Sequence, residues 1–341
     1  MSGCVFAIGS GVVRTAEEGK REPVSVNGGH RDREMIVSKT QRLILMIQGL
    51  GRALFALLAW DLVIVVCYQV LNWRWVGSPH VPLGSFGAVL GIIVGFRNSS
   101  AYGRWWEGRI LWGAIVNKSR TFGRLVLTTM SAQGAATPAE QEEVASVRRK
   151  LVIHQVAYVH ALRQQLRRLD PVPIIADLVP DEDPAELARD KNVALRLQTR
   201  MSAMLIAARK RGWLDQWQWQ SIDESMSGLM DAQGGAERIK NTPMPKQFDF
   251  FPRLFVQIYC LMLPIGMVVN MGWYTPLGST LVGFLFLALD KIGRDLEDPF
   301  ENTIHDVPIT AVATTIEINL RQLLGETELP PPEQPVHGVL W

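Results

Sequence analysis

The segment Pro82–Phe96 carries two sets of residues whose spacing suits close helix packing and the lining of a narrow passage. Small residues recur every four positions and form a glycine stripe, which lets membrane helices approach closely: Gly87, Gly91 and Gly95. Apolar residues lie beside the stripe on the helical wheel and are also four apart: Ala88, Ile92 and Phe96. Copies of this apolar face around an axis would form a hydrophobic constriction, which gates by dewetting. A plain helix dimer or bundle core is the alternative, and it stays open at this point.

Other residues with chemical potential lie outside that segment. Asp61 interrupts an apolar run, and such a residue indicates function unless it makes a polar contact to another helix. His154 and His160 are six residues apart and do not share a helix face, so they do not predict a paired metal site. The cysteines lack metal-ligand spacing and predict structural thiols: Cys4, Cys67 and Cys260.

The composition excludes several classes of function. The net charge of +2 is close to balance, which predicts no nucleic-acid partner. The sequence has no glycine-rich phosphate loop, no nucleophile elbow and no acid pair in a catalytic context, so it predicts neither an enzyme nor a cofactor. A hydrophobic fraction of 48% with a mean hydropathy of +0.09 indicates membrane helices joined to a sizeable aqueous part.

Four apolar segments supply the elements that must position these residues. They span residues 53–71, 82–96, 254–272 and 276–289. The first and third have the length of a bilayer span, and each is followed after a short linker by a shorter segment, which predicts two helical hairpins. The two linkers hold a single Lys or Arg, Arg74, whereas Lys39 and Arg42 precede the first apolar segment and many cations lie between the second and third segments. The positive-inside rule therefore places both termini and the middle of the chain in the cytoplasm.

This pattern predicts an all-α integral membrane protein with four transmembrane helices and a helical cytoplasmic domain. The predicted parts are a disordered tail at 1–34, a first hairpin at 35–97, a helical cytoplasmic region at 98–250, a second hairpin at 251–290 and a cytoplasmic C-terminal segment at 291–341. Within the cytoplasmic region, helical spacing predicts helices at 104–127, 138–169, 183–212 and 214–234. Translation starts either at Met1 or at Met35, which opens the first organised segment.

Two motifs beside the membrane segments resemble signatures of the bestrophin family. The first is the stretch Gly95–Arg109, which reads Gly-Phe-Arg-Asn-Ser-Ser-Ala-Tyr-Gly-Arg-Trp-Trp-Glu-Gly-Arg. The second follows the last apolar segment at Ile292–Phe300 and ends in the acidic-Pro-Phe sequence Asp-Leu-Glu-Asp-Pro-Phe. The order and membrane context of the two motifs are specific, and the resemblance covers about Met35 to Leu324.

The resemblance implies a homopentameric ion channel in which the second membrane helix of each subunit lines a narrow hydrophobic neck. By position in the motif, the neck residues are Ala88, Ile92 and Phe96. Ala88 is smaller than the bulky residue common in the family, so the outer neck is expected to be looser. A lower cytosolic constriction of the family matches Leu214 here. The glycine stripe is then expected to pack the helices together.

Calcium-dependent animal bestrophins bind calcium near the acidic-Pro-Phe motif. The matching carboxylates here are Asp295, Asp298 and Asp306. Thr303 interrupts the acidic run, and calcium prefers about six to eight oxygen ligands with several carboxylates. The sequence therefore favours a solvated or cation-paired acidic face over a calcium site, and we expect no resident metal.

Three classes of function remain: a passive channel for small monovalent ions, a membrane-embedded carrier or enzyme with a cytoplasmic helical active site, and a membrane anchor for partner proteins. A carrier needs polar or broken helices at mid-membrane, and an enzyme needs a convergent catalytic set. A glycine stripe beside an apolar face fits a channel better. The expected partners are further copies of the chain, membrane lipid and small inorganic ions, and the expected location is the inner cell membrane. Chloride follows from the resemblance, but an apolar neck has no fixed charge, so cation selectivity stays open.

Overall fold

The computed structural model describes residues 39–132 and 137–335, and within those ranges it is helical and has no strands. The all-α prediction is therefore confirmed for the described chain, whereas the predicted tail at 1–34 lies outside it. The α-helices of these ranges are, in chain order, α1 (Lys39–Gln69), α2 (Leu83–Thr129), α3 (Pro138–Leu166), α4 (Val172–Ile175), α5 (Pro184–Leu187), α6 (Val193–Lys210), α7 (Gln216–Asn241), α8 (Lys246–Met271), α9 (Thr275–Glu297) and α10 (Ile309–Leu323).

Helices α1, the first part of α2, α8 and α9 form an antiparallel bundle. A tight turn joins α8 to α9 at Gly272, whose φ of 53° is a conformation that glycine adopts without a steric cost. The two helices then run side by side, with the rings of Tyr259 and Phe286 in edge-to-face contact 5.0 Å apart. A Cβ on Gly283 of α9 would overlap the side chain of Leu57, so this glycine lets α1 pack closely.

Two stretches of the described chain are long and apolar enough to cross a bilayer. They are Leu50–Gln69 in α1 and Lys246–Glu297, which contains α8, the turn and α9. The apolar part of α2 is shorter, because Arg97 and a run of polar residues follow Phe96. Both stretches lie in the same bundle as the first part of α2. Helix α2 therefore packs against helices that have the composition of membrane spans.

Helix α2 is the longest element and connects the bundle to the rest of the protein. It runs without interruption over 47 residues, which corresponds to about 70 Å and exceeds the thickness of a bilayer core. The sequence predicted a membrane segment at 82–96 that continues without a break into the motif at Gly95–Arg109, and helical spacing at 104–127; in the structure all of these residues from Leu83 onward belong to one helix. Its second part lies at the centre of a helical core built with α3, α6, α7 and α10.

The helices of that core depart from prediction at two places. The predicted helix at 183–212 is wrong as a single element, because α5 ends at Leu187 and α6 begins at Val193. The side chain of Asn192 caps the new start by accepting a hydrogen bond from the Leu195 amide at 3.0 Å. Helix α7 continues past the predicted end at 234, since Gly235 is an internal helical residue that allows close packing against Leu111.

Candidate functional site

The first part of α2 has one face packed inside the bundle and the opposite face open. Leu90 and Val94 are buried in an apolar cluster with α8. On the opposite side the predicted neck residues are exposed, Ile92 by 60% and Phe96 by 71%, and Ala88 is exposed as well. The predicted neck face therefore points away from the protomer's own helices, and large apolar side chains in this state need cover from lipid, from protein or from each other.

The glycines of the stripe have different surroundings. A Cβ at Gly87 would lie 2.6 Å from the Tyr259 hydroxyl, so Gly87 allows close approach of α8 to α2. At Gly91 and Gly95 a Cβ would meet no atom within 4 Å in the described part of the protomer. Packing of the stripe inside the protomer is thus limited to Gly87, and any packing through the other two requires a second subunit.

A buried ion-pair network lies directly after the neck face. Arg97 is 2% exposed, and its guanidinium donates to Asp290 Oδ1 at 2.7 Å and to the carboxylate of Asp249. Asp290 also forms an ion pair with Arg294 at 3.0 Å. Buried charges are stable only when their partners are well placed, so this network defines one arrangement of α2, α8 and α9. Because Arg97 adjoins Phe96 in the chain, the network also fixes the direction in which the neck face points.

The two signature motifs, far apart in sequence, meet further along α2. Arg104 donates to three backbone carbonyls, those of Glu297 at 3.0 Å, Thr242 at 2.9 Å and Ile239 at 2.7 Å. These carbonyls lie at the C-terminal ends of α9 and α7, where helix geometry leaves acceptors without intrahelical partners. A single arginine therefore ties the ends of two helices to the middle of α2.

Aromatic residues of the two signature motifs extend the contact between them. Trp105 Nε1 donates to the carbonyl of His305 at 2.9 Å. A Cβ on Gly108 would lie 3.0 Å from the ring of Phe300, which is completely buried. We call this region the motif junction, formed by Arg104, Trp105, Gly108, Asp298 and Phe300. It joins the membrane bundle to the cytoplasmic core.

The carboxylates considered for calcium make other contacts. They are Asp295, Asp298 and Asp306. Asp295 forms an ion pair with Lys291 at 3.0 Å, Asp298 pairs with Lys240 at 2.7 Å, and Asp306 accepts hydrogen bonds from Thr303. Burial raises the pKa of Asp306, which disfavours its ionised form. Within residues 39–132 and 137–335, no three His, Cys, Asp or Glu side chains are grouped to hold a metal ion.

Leu214 is buried inside the protomer. Its side chain is 2% exposed and belongs to the helical core. The Trp213 carbonyl accepts a hydrogen bond from the Ser131 amide at 3.0 Å, which draws the connection between α6 and α7 onto the end of α2. This burial does not favour a pore-lining position, and the assignment of the lower constriction to Leu214 stays a prediction.

Asp61 and His160 both contact polar side chains of another helix. Asp61 is buried and accepts hydrogen bonds from the hydroxyls of Ser279 at 2.8 Å and Thr280 at 3.0 Å, so it makes the polar contact to another helix. His160 pairs with Glu317 at 2.8 Å. Cys67 and Cys260 are free thiols, and Cys4 lies outside the described residues.

Sequence reasoning missed the partners of Arg97 and the capping role of Arg104. Asp249 and Asp290 are charged residues at the ends of apolar segments, as Arg97 is. The three residues carry opposite charges and lie at the ends of segments that were predicted to pack together. That pattern is the signal that could have paired Arg97 with the two aspartates. The role of Arg104 has no comparable signal, because its acceptors are backbone carbonyls.

Comparison with known proteins agrees with this geometry. The profile of the family described as Bacterial/Fungal Bestrophin protein matches residues 38–322. A voltage-dependent anion channel-forming protein of Mesorhizobium japonicum is 34% identical over 245 residues, which are 72% of this chain and 75% of that protein. Another, from Escherichia coli K12, is 32% identical over 249 residues, 73% of this chain and 78% of that protein.

The fold agrees as well. The crystal structure of a bacterial bestrophin homolog from Klebsiella pneumoniae has a TM-score of 0.74 to this structure at 28% identity, covering 81% of this chain and 98% of that one. The profile match spans both signature motifs and all four helices of the bundle. The chain is therefore a membrane protein of a channel-forming group, and it belongs to the bacterial and fungal bestrophin family.

Proposed function

We propose that this protein is a homopentameric channel for small monovalent ions, with a hydrophobic neck formed by Ala88, Ile92 and Phe96 of each subunit. Relatives named as voltage-dependent anion channel-forming proteins support ion conduction and make chloride the expected ion. An uncharged neck excludes ions by dewetting rather than by charge. Selectivity between chloride and cations therefore depends on groups outside the neck.

One observation supports the association of several subunits. Exposed apolar side chains continue along α2 beyond the polar network at Arg97, at Tyr102, Trp106 and Ile110. In the membrane such residues could face lipid, but on the cytoplasmic part of α2 they need another protein surface. A closed ring of identical subunits supplies that surface and brings one copy of α2 per subunit to the axis. The number five comes from the family resemblance.

The alternative of a carrier or membrane-embedded enzyme is less well supported. A carrier uses discontinuous helices at its mid-membrane site, whereas α2 is continuous. Asp61 has its hydrogen bonds filled by two hydroxyl groups, which suits a helix contact.

The proposed topology has both termini and residues 98–250 in the cytoplasm, with the protein in the inner cell membrane. The hairpins at 35–97 and 251–290 then each enter and leave on the cytoplasmic side. Trp73, Trp75, Trp273 and Tyr274 are exposed at the opposite end of the bundle, where amphipathic aromatic rings are favoured at a membrane interface.

The first test is the mass of the assembly in mild detergent. Five copies of the 38.1 kDa chain are expected, measured by light scattering with a correction for bound detergent or by native mass spectrometry. A stable monomer or dimer in every detergent tried would contradict the channel proposal, because such an assembly cannot surround an axis with α2.

The second test addresses the neck. The double substitution Ile92→Ala with Phe96→Ala should raise single-channel conductance in planar bilayers, because smaller side chains widen and wet the constriction. A matched control is Leu58→Ala with Leu62→Ala, two exposed apolar residues four apart on α1. An assembled neck variant with unchanged conductance would place the constriction elsewhere. Reversal potentials in a potassium chloride gradient then give the sign of the conducted ion.

A further inference from the structure

A cleft of about 330 Å³ opens between α1, α8 and α9 at the end of the bundle away from the turn at Gly272. Its lining includes apolar side chains, among them Leu50, Val256 and Leu287. It also includes three cations, Arg253, Lys291 and Arg294. This volume lies within the usual range of small-molecule sites, and a lining that combines apolar and basic side chains predicts an amphipathic anion as the occupant.

The charges of the cleft do not cancel. Its two carboxylates, Asp290 and Asp295, already have partners. Asp290 pairs with Arg97 at 2.7 Å and Arg294 at 3.0 Å, and Asp295 pairs with Lys291 at 3.0 Å. Arg253 is exposed and has no carboxylate within salt-bridge distance in the described part of the chain. The cleft therefore offers one guanidinium whose planar donors are available to an external anion.

The position of the cleft identifies the class of anion. Arg253 immediately precedes the apolar segment of α8 that begins at Leu254, and Asp290 and Lys291 directly follow the apolar segment of α9 that ends at Leu289, so the cleft lies where polar sequence meets membrane sequence. Lipid phosphates lie at this depth, with acyl chains on the apolar side. Basic pockets between membrane helices on the cytoplasmic side bind anionic lipid headgroups.

We propose that this cleft binds an anionic phospholipid, with Arg253 donating hydrogen bonds to the phosphate and the acyl chain lying against Leu50, Val256 and Leu287. The apolar side chains that line the cleft favour a lipid over free inorganic phosphate, because inorganic phosphate has no apolar group to contact them. The site goes beyond the proposed function, because conduction through the neck requires no ligand between α1, α8 and α9.

The test is a lipid titration of the full-length protein in detergent, followed by the midpoint of thermal unfolding and by native mass spectrometry. Dioleoyl phosphatidylglycerol is compared with dioleoyl phosphatidylcholine and with inorganic phosphate. Arg253→Gln removes the available guanidinium. Arg52→Gln is the matched control, since Arg52 is an exposed cation near Leu50 that does not line the cleft. Both variants should first match the unsubstituted protein in assembly mass and in lipid-free unfolding midpoint.

Phosphatidylglycerol should stabilise the protein and phosphatidylcholine should not, and Arg253→Gln should weaken phosphatidylglycerol binding by roughly fivefold or more. Arg52→Gln should change that binding by less than about twofold. Equal binding of the two lipids, an equal loss in both variants, or unchanged binding in Arg253→Gln would overturn the proposal. Stabilisation by inorganic phosphate alone would overturn the lipid assignment. None of these readouts uses ion flux, so the result is independent of whether the protein conducts.

Discussion

The two parts of α2 belong to one continuous helix but have opposite surroundings. In the first part, Ile92 and Phe96 are exposed and only the opposite face is packed. In the second part, Trp112, Ile115 and Phe122 are buried among the core helices. The second part therefore contributes more buried apolar surface to the protomer, and the first part is held by one packed face and by the network at Arg97. The exposed face of the first part can vary without loss of packing inside the protomer.

The largest expected difference in stability is between two phenylalanine substitutions. Phe300 packs against the second part of α2, and Phe96 lies in the first part. Phe300→Ala at the motif junction should lower the free energy of unfolding by about 3–5 kcal/mol, since it leaves a cavity against Gly108. Phe96→Ala should change it by less than about 1 kcal/mol, because an exposed side chain leaves no cavity. Denaturant unfolding in detergent, followed by tryptophan fluorescence, measures both. Equal losses of unfolding free energy in the two variants would show that Phe96 contributes to the stability of the protomer.

Substitution of Arg97 in the ion-pair network should destabilise the protomer, as should substitution of Phe300 at the motif junction. Arg97→Met leaves two carboxylates with less compensation, one of them buried, and should destabilise the protomer by about 3 kcal/mol. The control is Arg196→Met, which breaks an exposed pair with Glu186 and should cost less than about 1 kcal/mol. If both variants unfold alike, Arg97 does not secure α2, and the direction of the neck face has another cause.

A smaller, pH-dependent effect is expected in the cytoplasmic core at Glu317. Burial raises the pKa of this carboxyl, but the hydrogen bonds and charges of His160 and Arg321 outweigh it, and the net pKa lies below 4.5. A lowered folded-state pKa contributes stability above the unfolded value, and that stability is lost as the pH falls through the folded value. Glu317→Gln should therefore cost about 1–2 kcal/mol near neutral pH and progressively less below pH 4.5. Thermal unfolding across this range tests the sign, and a difference that grows on acidification would contradict it.

The smallest effect on the protomer is expected at Gly91. Nothing described in the protomer lies within 4 Å of a Cβ at this position, so Gly91→Leu should leave the unfolding of the cytoplasmic core unchanged. A bulky residue would nevertheless block close approach of a second subunit and reduce assembly. Hydrogen exchange of the core and the mass of the assembly separate the two outcomes. Normal assembly of Gly91→Leu would show that the stripe makes no contact between subunits.

The sequence predicted features that depend on local pattern. Four-residue spacing identified the face that contains Ile92 and Phe96, and the apolar segments identified the bundle helices. Contacts between distant residues were not predictable in this way. Arg97 and its partner Asp290 are 193 residues apart, so no local pattern links them. The burial of Leu214 was not predictable either, because an apolar residue in a helix connection has the same local pattern whether it lines a pore or fills a core.

The uninterrupted course of α2 also limits how the chain can vary in length. Arg104 is anchored to the ends of α7 and α9, and Phe96 lies about 12 Å before it on the same rigid helix. One inserted residue between them would rotate the face that contains Ile92 and Phe96 by about 100° relative to the anchor, turning Ile92 from its exposed position toward the bundle. Insertions and deletions are therefore expected in the loops that join the core helices, and the interval from Phe96 to Arg104 is expected to keep a constant length.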